Sequence, residues 1–210
     1  QLFPRPDYQR QLLAFRDKQI IKVITGVRRC GKSSLLSLLR ETLLADGVED
    51  ERIVCINFED FDAYSFRDPK TLHDYLKSKL VKGKITYIML DEIQCVRDFV
   101  QVIDSLFIRE NVDLYVTGSN ANLLSADIAT MLTGRYVEIK MLPLSFREFV
   151  EATHAGDSLS SAYRRYLEKS SFPLALEFDT DQSLRSYLEG VLTTILYKDV
   201  VSRCKVTDTS

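Results

Sequence analysis

Apolar residues recur along the first two thirds of the chain in short runs that alternate with longer amphipathic stretches. The runs have the length of strands, and five are predicted, at 20–25, 52–58, 85–90, 113–117 and 136–141. Between them, apolar residues recur at spacings of three and four, which predicts helices at 32–45, 68–82, 98–109 and 118–132. Strands that alternate with helices form parallel sheets, so we predict an α/β fold with a five-stranded parallel sheet and helices on both faces.

The pattern changes after residue 142, where only amphipathic segments follow. Ser145 and Glu148 have the spacing of a capping box that starts a short helix. Two further helices are predicted at 157–169 and 181–201. We therefore predict two domains, an α/β domain at 1–142 and a small helical lid domain at 143–210.

Composition narrows the class of protein without identifying a function. The chain is 45% hydrophobic and 28% charged, as globular proteins usually are, and its net charge of −2 argues against a dominant nucleic-acid surface. It contains no apolar run long enough to cross a bilayer and no signal-peptide pattern, so we expect a cytoplasmic protein without a membrane partner. The four cysteines are scattered, which favours reduced thiols over disulfides or a zinc site.

A glycine-rich segment lies between the first strand and the first long helix. It consists of Gly26, Val27, Arg28, Arg29, Cys30, Gly31, Lys32, Ser33 and Ser34. A glycine, four residues and Gly-Lys-Ser is the spacing of a loop that cradles phosphates with its backbone N–H groups. Lys32 would then bind the β- and γ-phosphates, and the Ser33 hydroxyl would ligate Mg²⁺.

Three side chains of this loop have two interpretations each. Arg28 and Arg29 either touch phosphate or point into solvent, because the cradle itself works through the backbone. Cys30 is either a redox-sensitive thiol, since a helix N-terminus lowers a thiol pKa, or a small residue that fits a tight loop.

The strand at 85–90 runs directly into two carboxylates, Asp91 and Glu92. The carboxyl ends of parallel strands meet at one edge of the sheet, which is also where the phosphate loop begins. Nucleotide hydrolysis needs a metal to neutralise charge and a group to aim water at the γ-phosphorus. Asp91 suits the metal shell, and Glu92 suits the base that activates the water.

Two further polar residues lie next to the fourth and fifth strands. Asn120 comes just after the fourth strand, which we expect to lie between the first and third, and it either contributes to catalysis or only caps the next helix. Arg135 precedes the fifth strand and is either an arginine finger, presented to the phosphates of a neighbouring subunit, or a surface residue in a salt bridge. The finger would require a homo-oligomer.

Together these motifs resemble those of the AAA+-like P-loop ATPases (AAA_14 type) of bacteria and archaea. The resemblance rests on Ile24–Leu36, on Asp91-Glu92-Ile93-Gln94, on Thr117–Leu124, on Leu132–Arg135 and on Pro143–Phe149. It implies ATP and Mg²⁺ as cofactors, a sheet of the ASCE type with a Walker A loop and a Walker B strand end, and a helical lid after residue 142. It also implies that Tyr8 or its neighbours lie near the adenine.

The chain departs from that family in two respects. Ser170 and Ser171 occupy positions where the family often has two glycines, so we expect a different turn in the lid. Members of the family also continue into a winged-helix and nuclease-like region that would follow residue 210. Any nucleic-acid or protein partner is expected to act through that region.

The residues and the resemblance lead to one functional hypothesis and two alternatives. The hypothesis is an ATP-binding, Mg²⁺-dependent ATPase in which Lys32, Glu92, Asn120 and Arg135 take part in catalysis. The first alternative is a phosphotransferase that passes the γ-phosphate to a small molecule. The second is a nucleotide-gated interaction or assembly switch with little turnover.

Overall fold

The computed structural model describes residues 2–118, 123, 132, 134–153 and 158–197. Its five strands are β1 (Ile21–Gly26), β2 (Ile53–Asn57), β3 (Thr86–Asp91), β4 (Val112–Gly118) and β5 (Tyr136–Met141). They form one sheet in the order β2-β3-β4-β1-β5, so β4 lies between β1 and β3 as expected. The predicted α/β fold with a five-stranded parallel sheet is confirmed.

The described helices pack around this sheet or follow it. They are α1 (Pro6–Ala14), α2 (Lys32–Ala45), α3 (Pro69–Ser78), α4 (Phe99–Phe107), α5 (Phe146–Thr153), α6 (Leu159–Lys169) and α7 (Asp181–Thr194). The helix predicted at 118–132 lies outside the described residues except at three positions. Gly118 belongs to β4 and not to a helix, and Leu123 and Leu132 are both buried. No described helix has the length and hydropathy needed to cross a bilayer.

The hydrophobic core follows from the order of the strands. Every residue of β1 and β3 is buried, because both strands have a neighbour on each side and helices cover them. The two edge strands, β2 and β5, alternate buried and more exposed positions. The strands with a neighbour on each side therefore form the buried centre of the sheet, and β2 and β5 form its more exposed edges.

Two helix starts form as their sequences predict. Asp68 caps α3, since its Oδ2 accepts a hydrogen bond of 2.8 Å from the Thr71 N–H, and Pro69 follows at the first helical position. At α5 the Ser145 N–H donates to Glu148 Oε2 at 2.8 Å, which completes the predicted capping box. Local side-chain chemistry thus fixes where both helices begin.

The chain packs as two compact units. The larger comprises Pro6–Thr25 and Lys32–Lys140, and the smaller comprises Gln1–Arg5, Gly26–Gly31 and Met141–Ser210. The division into domains at residue 142 stays a prediction.

The turn after α6 contains a strained residue. Ser170 has φ 77° and ψ 158°, a conformation that is accessible to glycine and costly for other residues. The next residue is fixed, because its carbonyl oxygen accepts a 2.7 Å hydrogen bond from the Leu144 N–H. The chain therefore carries serine at a backbone position that favours the glycine often found in the family it resembles.

Candidate functional site

The carboxylate at the end of β3 lies in a buried, hydrogen-bonded position. Asp91 is 5% exposed, and its Oδ1 accepts a hydrogen bond from the Thr117 hydroxyl of β4. Burial raises the pKa of Asp91, and hydrogen bonds from Ser33 and Thr117 act in the opposite direction because they stabilise the carboxylate. The structure thus brings together Ser33 and Asp91, the two residues predicted to ligate a metal.

The predicted lysine and base also lie together. Lys32, the first residue of α2, places its Nζ 3.4 Å from Glu92 Oε1, and both side chains are largely buried. Charges that are buried lose contact with water, and the attraction between these two opposite charges offsets part of that cost. Lys32 and Glu92 therefore lie at one site and pair with each other there.

Glu92 has an unusual backbone conformation. Its φ of 55° and ψ of 48° lie in the left-handed region, where residues other than glycine are uncommon. Its N–H donates to the Thr117 hydroxyl oxygen at 3.0 Å, which helps to hold this conformation. Thr117 therefore bonds both carboxylate residues, as donor to Asp91 and as acceptor from Glu92.

The sequence did not single out Thr117 or Gln94. It favoured Asn120, which lies outside the described residues. The strand register contains the missing signal, because Leu90 pairs with Val116 and so places Thr117 beside Asp91. Gln94, two residues after Glu92, donates from its Nε2 to Glu92 Oε2, a contact that no simple spacing rule predicts.

The residues at this site fit a magnesium ion that is shared with phosphate. Ser33 and Asp91 supply the hard oxygen ligands that Mg²⁺ prefers. Among the residues that the structure describes, no three His, Cys, Asp or Glu side chains form a cluster able to hold a metal by themselves. Mg²⁺ commonly binds through one or two protein oxygens and completes its shell with phosphate and water, which matches this donor set.

The glycine-rich loop at 26–31 belongs to the smaller unit, and its glycines have separate structural reasons. A Cβ at Gly26 would overlap the carbonyl oxygen of Met141 and would lie 2.8 Å from Cys30 Sγ. Gly31 has φ 105°, in the region that favours glycine. Cys30 is fully buried, so the described structure gives an oxidant no access to its thiol. Here Cys30 fits the interpretation of a small residue in a tight loop.

An arginine near the start of the chain donates a hydrogen bond to the backbone of this loop. Arg5 is 2% exposed, and its guanidinium donates to the carbonyl oxygens of Cys30 at 3.2 Å and Leu142 at 2.8 Å. Its Nε pairs with Glu148 Oε1 at 2.6 Å, while the other oxygen of Glu148 caps α5. The planar guanidinium thus joins the loop, the segment after β5 and the start of α5 within the smaller unit.

The remaining predicted site residues have varied surroundings. Arg135 is partly exposed, and its Nη1 lies 2.9 Å from Asp104 Oδ1, so it forms the surface salt bridge that was one of its two interpretations. Arg28 is half-buried and Arg29 is exposed, and Tyr8 is a half-buried residue of α1. The contribution of Tyr8 to an adenine site stays a prediction.

A cavity of about 350 Å³ opens beside the predicted metal ligands in the larger unit. Ser33 and Asp91 border it, and Arg40, Asn57 and Met89 contribute to the rest of its wall. Its volume is in the range that binds small molecules. The predicted metal ligands, Ser33 and Asp91, therefore adjoin a space large enough for a small molecule.

Comparison with known proteins places this arrangement in a family. A family model described as "AAA domain" (AAA_14) matches residues 18–150. An uncharacterized protein of Haemophilus influenzae is 38% identical to this chain over 215 residues, which cover 99% of the chain and 53% of the relative. The chain spans about half the length of the curated relatives that it matches.

Solved structures show the same fold at low sequence identity. A Walker-type ATPase of Pyrococcus abyssi superposes with a TM-score of 0.61 and 16% identity, covering 93% of this chain and 75% of that protein. The DnaA protein of Aquifex aeolicus, solved with AMPPCP bound, gives a TM-score of 0.52 and 12% identity over 95% of this chain and 64% of DnaA. These similarities establish the fold of the sheet and the helices around it.

Proposed function

Because the chain belongs to the AAA domain family (AAA_14) and has the fold of a P-loop NTPase, we propose that it binds ATP with Mg²⁺ and hydrolyses it. The observation that carries this proposal is the cluster formed by Lys32, Ser33, Asp91 and Glu92. It combines a cation for phosphate, two oxygen ligands for a metal and a carboxylate for water. The nucleotide bound to the related DnaA fold supports the choice of ligand.

In this proposal each side chain has one task. The backbone of residues 26–31 cradles the phosphates, and Lys32 neutralises the β- and γ-phosphates. Ser33 and Asp91 hold Mg²⁺, which supplies charge neutralisation to the phosphates when it is bound. Glu92 accepts the proton of the attacking water, and ADP leaves with the electrons of the broken bond to the γ-phosphorus.

In the structure, Lys32 and Glu92 form an ion pair, so the predicted base is paired with the predicted phosphate-binding lysine. The Lys32 ammonium lies at Glu92 Oε1, so phosphates that attract Lys32 compete with that carboxylate. Binding of ATP would then release one oxygen of Glu92 for the water. The base therefore becomes available when the substrate is present.

Two substitutions test the proposal. Lys32→Ala is expected to remove detectable nucleotide binding, because it deletes the charge that holds the outer phosphates. Glu92→Gln is expected to bind ATP as the unaltered protein does while turnover falls at least about 100-fold, since an amide cannot accept the proton. Fluorescence titration with a labelled ATP analogue measures binding, and phosphate release measures turnover.

Lys18→Ala is the matched control for Lys32→Ala, since Lys18 is an exposed lysine before β1 and is expected to leave both measurements unchanged. Omission of Mg²⁺ should abolish turnover by the unaltered protein. Normal hydrolysis by the Glu92→Gln protein would contradict the assigned base. A protein that fails to bind ATP would contradict the proposal as a whole.

The cavity beside Ser33 and Asp91 favours a second candidate, transfer of the γ-phosphate to a small molecule bound there. A phosphotransferase consumes ATP only when its acceptor is present, whereas a hydrolase needs only water. Measurement of ATP consumption with and without a panel of small hydroxyl and carboxylate compounds separates the two. Consumption that is independent of every added compound, with free phosphate as product, would exclude the transferase.

A further inference from the structure

Gln94 lies in a short 3-10 turn at Ile93–Cys95, directly after the predicted catalytic base. Its Nε2 donates a hydrogen bond to Glu92 Oε2. Since an ionised carboxylate can only accept, the NH₂ group of Gln94 must face Glu92 and its carbonyl oxygen must face away. The orientation of the amide is therefore determined by its neighbour.

The carbonyl oxygen of Gln94 is buried, and it meets no hydrogen-bond donor within the part of the chain that the structure describes. A buried acceptor without a donor costs free energy, because it gives up its hydrogen bonds to water and gains none in the protein. Such groups are uncommon in folded proteins and mark places where a ligand or water completes the bonding. Gln94 Oε1 thus offers an acceptor beside Glu92 that the described residues do not use.

Gly118, the last residue of β4, provides the space for this oxygen. A Cβ on Gly118 would overlap Gln94 Oε1 and would also lie 3.1 Å from Leu123 Cβ. The carbonyl oxygen therefore rests against the backbone at the carboxyl end of β4, on the strand that also supplies Thr117. A side chain at position 118 would displace the amide.

The two carboxylate oxygens of Glu92 are thus held by different groups. Lys32 is close to Oε1, and Gln94 bonds Oε2. Phosphates would attract the charged ammonium of Lys32 more strongly than the neutral amide of Gln94. We therefore expect the amide of Gln94 to stay on Glu92 Oε2 when ATP binds.

We propose that Gln94 is a further catalytic residue of the hydrolysis reaction and that its Oε1 accepts a hydrogen bond from the attacking water. This inference rests on the proposed ATPase function. A water molecule has two hydrogens, one for the Glu92 carboxylate and one for the Gln94 carbonyl oxygen, and both bonds together direct its lone pair. In some P-loop GTPases a glutamine amide orients the attacking water in this manner.

The proton balance of the step involves Glu92 alone. The water oxygen forms a bond to the γ-phosphorus, the bond from that phosphorus to the bridging oxygen breaks, and ADP takes the electron pair. Glu92 accepts the proton, whereas the amide of Gln94 exchanges none. Gln94 acts by orientation, so its loss lowers kcat and leaves ATP binding intact.

Two substitutions remove the orienting oxygen by independent routes. Gln94→Met keeps the length of the side chain and deletes both its donor and its acceptor. Gly118→Ala keeps Gln94 and displaces its oxygen. Each is expected to lower kcat roughly 10- to 100-fold with a change in the KM for ATP below about threefold.

The double variant provides the sharpest measurement. If both substitutions act through the same oxygen, Gln94→Met with Gly118→Ala loses no more kcat than Gln94→Met alone. If Gly118→Ala acts by disturbing Leu123 or the strand, the two losses multiply. Gly190→Ala is the matched control, since Gly190 is an exposed helical glycine with no atom near its missing Cβ, and its kcat is expected to be unchanged.

Phosphate release gives kcat and KM for each protein, and thermal melting checks that each is folded. Multiplying losses, or a Gln94→Met protein with the kcat of the unaltered protein, would overturn the role of Gln94 while leaving the ATPase proposal in place. A loss that appears in KM and not in kcat would also overturn it. An unaltered protein that binds ATP without any turnover would overturn both proposals, because no water is then activated.

Discussion

Thr117 links the two acidic residues through a single hydroxyl group. It donates to Asp91 and accepts from the Glu92 N–H, and it is fully buried. The hydroxyl therefore links the side chain of the predicted metal ligand, Asp91, to the backbone of the predicted base, Glu92. A methyl group of the same size could neither donate to Asp91 nor accept from the Glu92 N–H.

We expect Thr117→Val to lower the free energy of unfolding by about 1–3 kcal/mol, because it leaves a buried N–H without its acceptor. It should also raise the Mg²⁺ concentration that gives half-maximal turnover, since Asp91 loses the donor that orients it. Urea unfolding and a magnesium titration measure the two effects.

Thr86→Val is the matched control for this substitution. Thr86 is also a fully buried strand threonine, and its hydroxyl oxygen accepts a hydrogen bond of 3.2 Å from the Val81 N–H. It is the first residue of β3, whereas Asp91 is the last. It should lower stability and leave the magnesium titration unchanged. A shift in the magnesium titration for both variants would contradict the role assigned to Thr117.

The sequence predicts residues well where the chemistry is local. Lys32 and Asp91 follow from a spacing and from a strand end, and both lie at the same site in the structure. Gln94 and Thr117 could not be recognised in this way, because their roles depend on partners in another strand or on the direction of an amide. Arg5 lies still further from the motif, as its partners Cys30 and Glu148 are separated from it by 25 and 143 positions.

At the scale of elements, apolar periodicity predicted α2 and β5 at their observed bounds, because both lie between clear stop signals. The extent of α1 was not predicted, since only Leu12 of its residues is buried and a single buried position sets no period. The fourth helix cannot be compared, as it lies outside the described residues. Sequence patterns thus locate elements that contribute a continuous face to the core.

The turn after α6 offers a test at this scale. We expect Ser170→Gly to stabilise the protein by about 1 kcal/mol, because the relief of backbone strain exceeds the extra chain entropy that glycine has when unfolded. The melting temperature should rise by roughly 2–4 °C. Differential scanning calorimetry measures it.

Ser186→Gly serves as the control for that change. Ser186 is an exposed residue within α7, where glycine is expected to cost about 0.5 kcal/mol of helix stability. The two serine-to-glycine changes should therefore shift the melting temperature in opposite directions. A decrease for both would show that the Ser170 conformation carries no strain worth relieving.

At the scale of the whole molecule, the role of Arg135 determines whether activity would depend on assembly. Its salt bridge with Asp104 is partly exposed, and such pairs contribute about 1 kcal/mol or less to stability. An arginine finger, in contrast, acts only where a neighbouring subunit carries nucleotide. The two interpretations differ in how the rate depends on protein concentration.

If Arg135 acts on a neighbour, the specific ATPase rate of the unaltered protein should rise with protein concentration by at least about tenfold, and Arg135→Ala should remove that rise. Arg10→Ala is the control, because Arg10 is also an exposed arginine in an ion pair, with Asp7 at 3.2 Å. Enzyme assays across a range of dilutions make the comparison. Equal rates for all three proteins at every dilution would contradict the arginine finger and favour the surface salt bridge.

The position of Arg5 affects where a functional fragment of this protein can begin. The family model begins at residue 18, whereas the arginine that holds the loop carbonyl of Cys30 lies thirteen positions earlier. A fragment cut to residues 18–150 would contain every residue of both nucleotide motifs and still lack the guanidinium behind the loop. Boundaries drawn from sequence similarity would then remove a residue that supports the predicted phosphate loop and that belongs to neither motif.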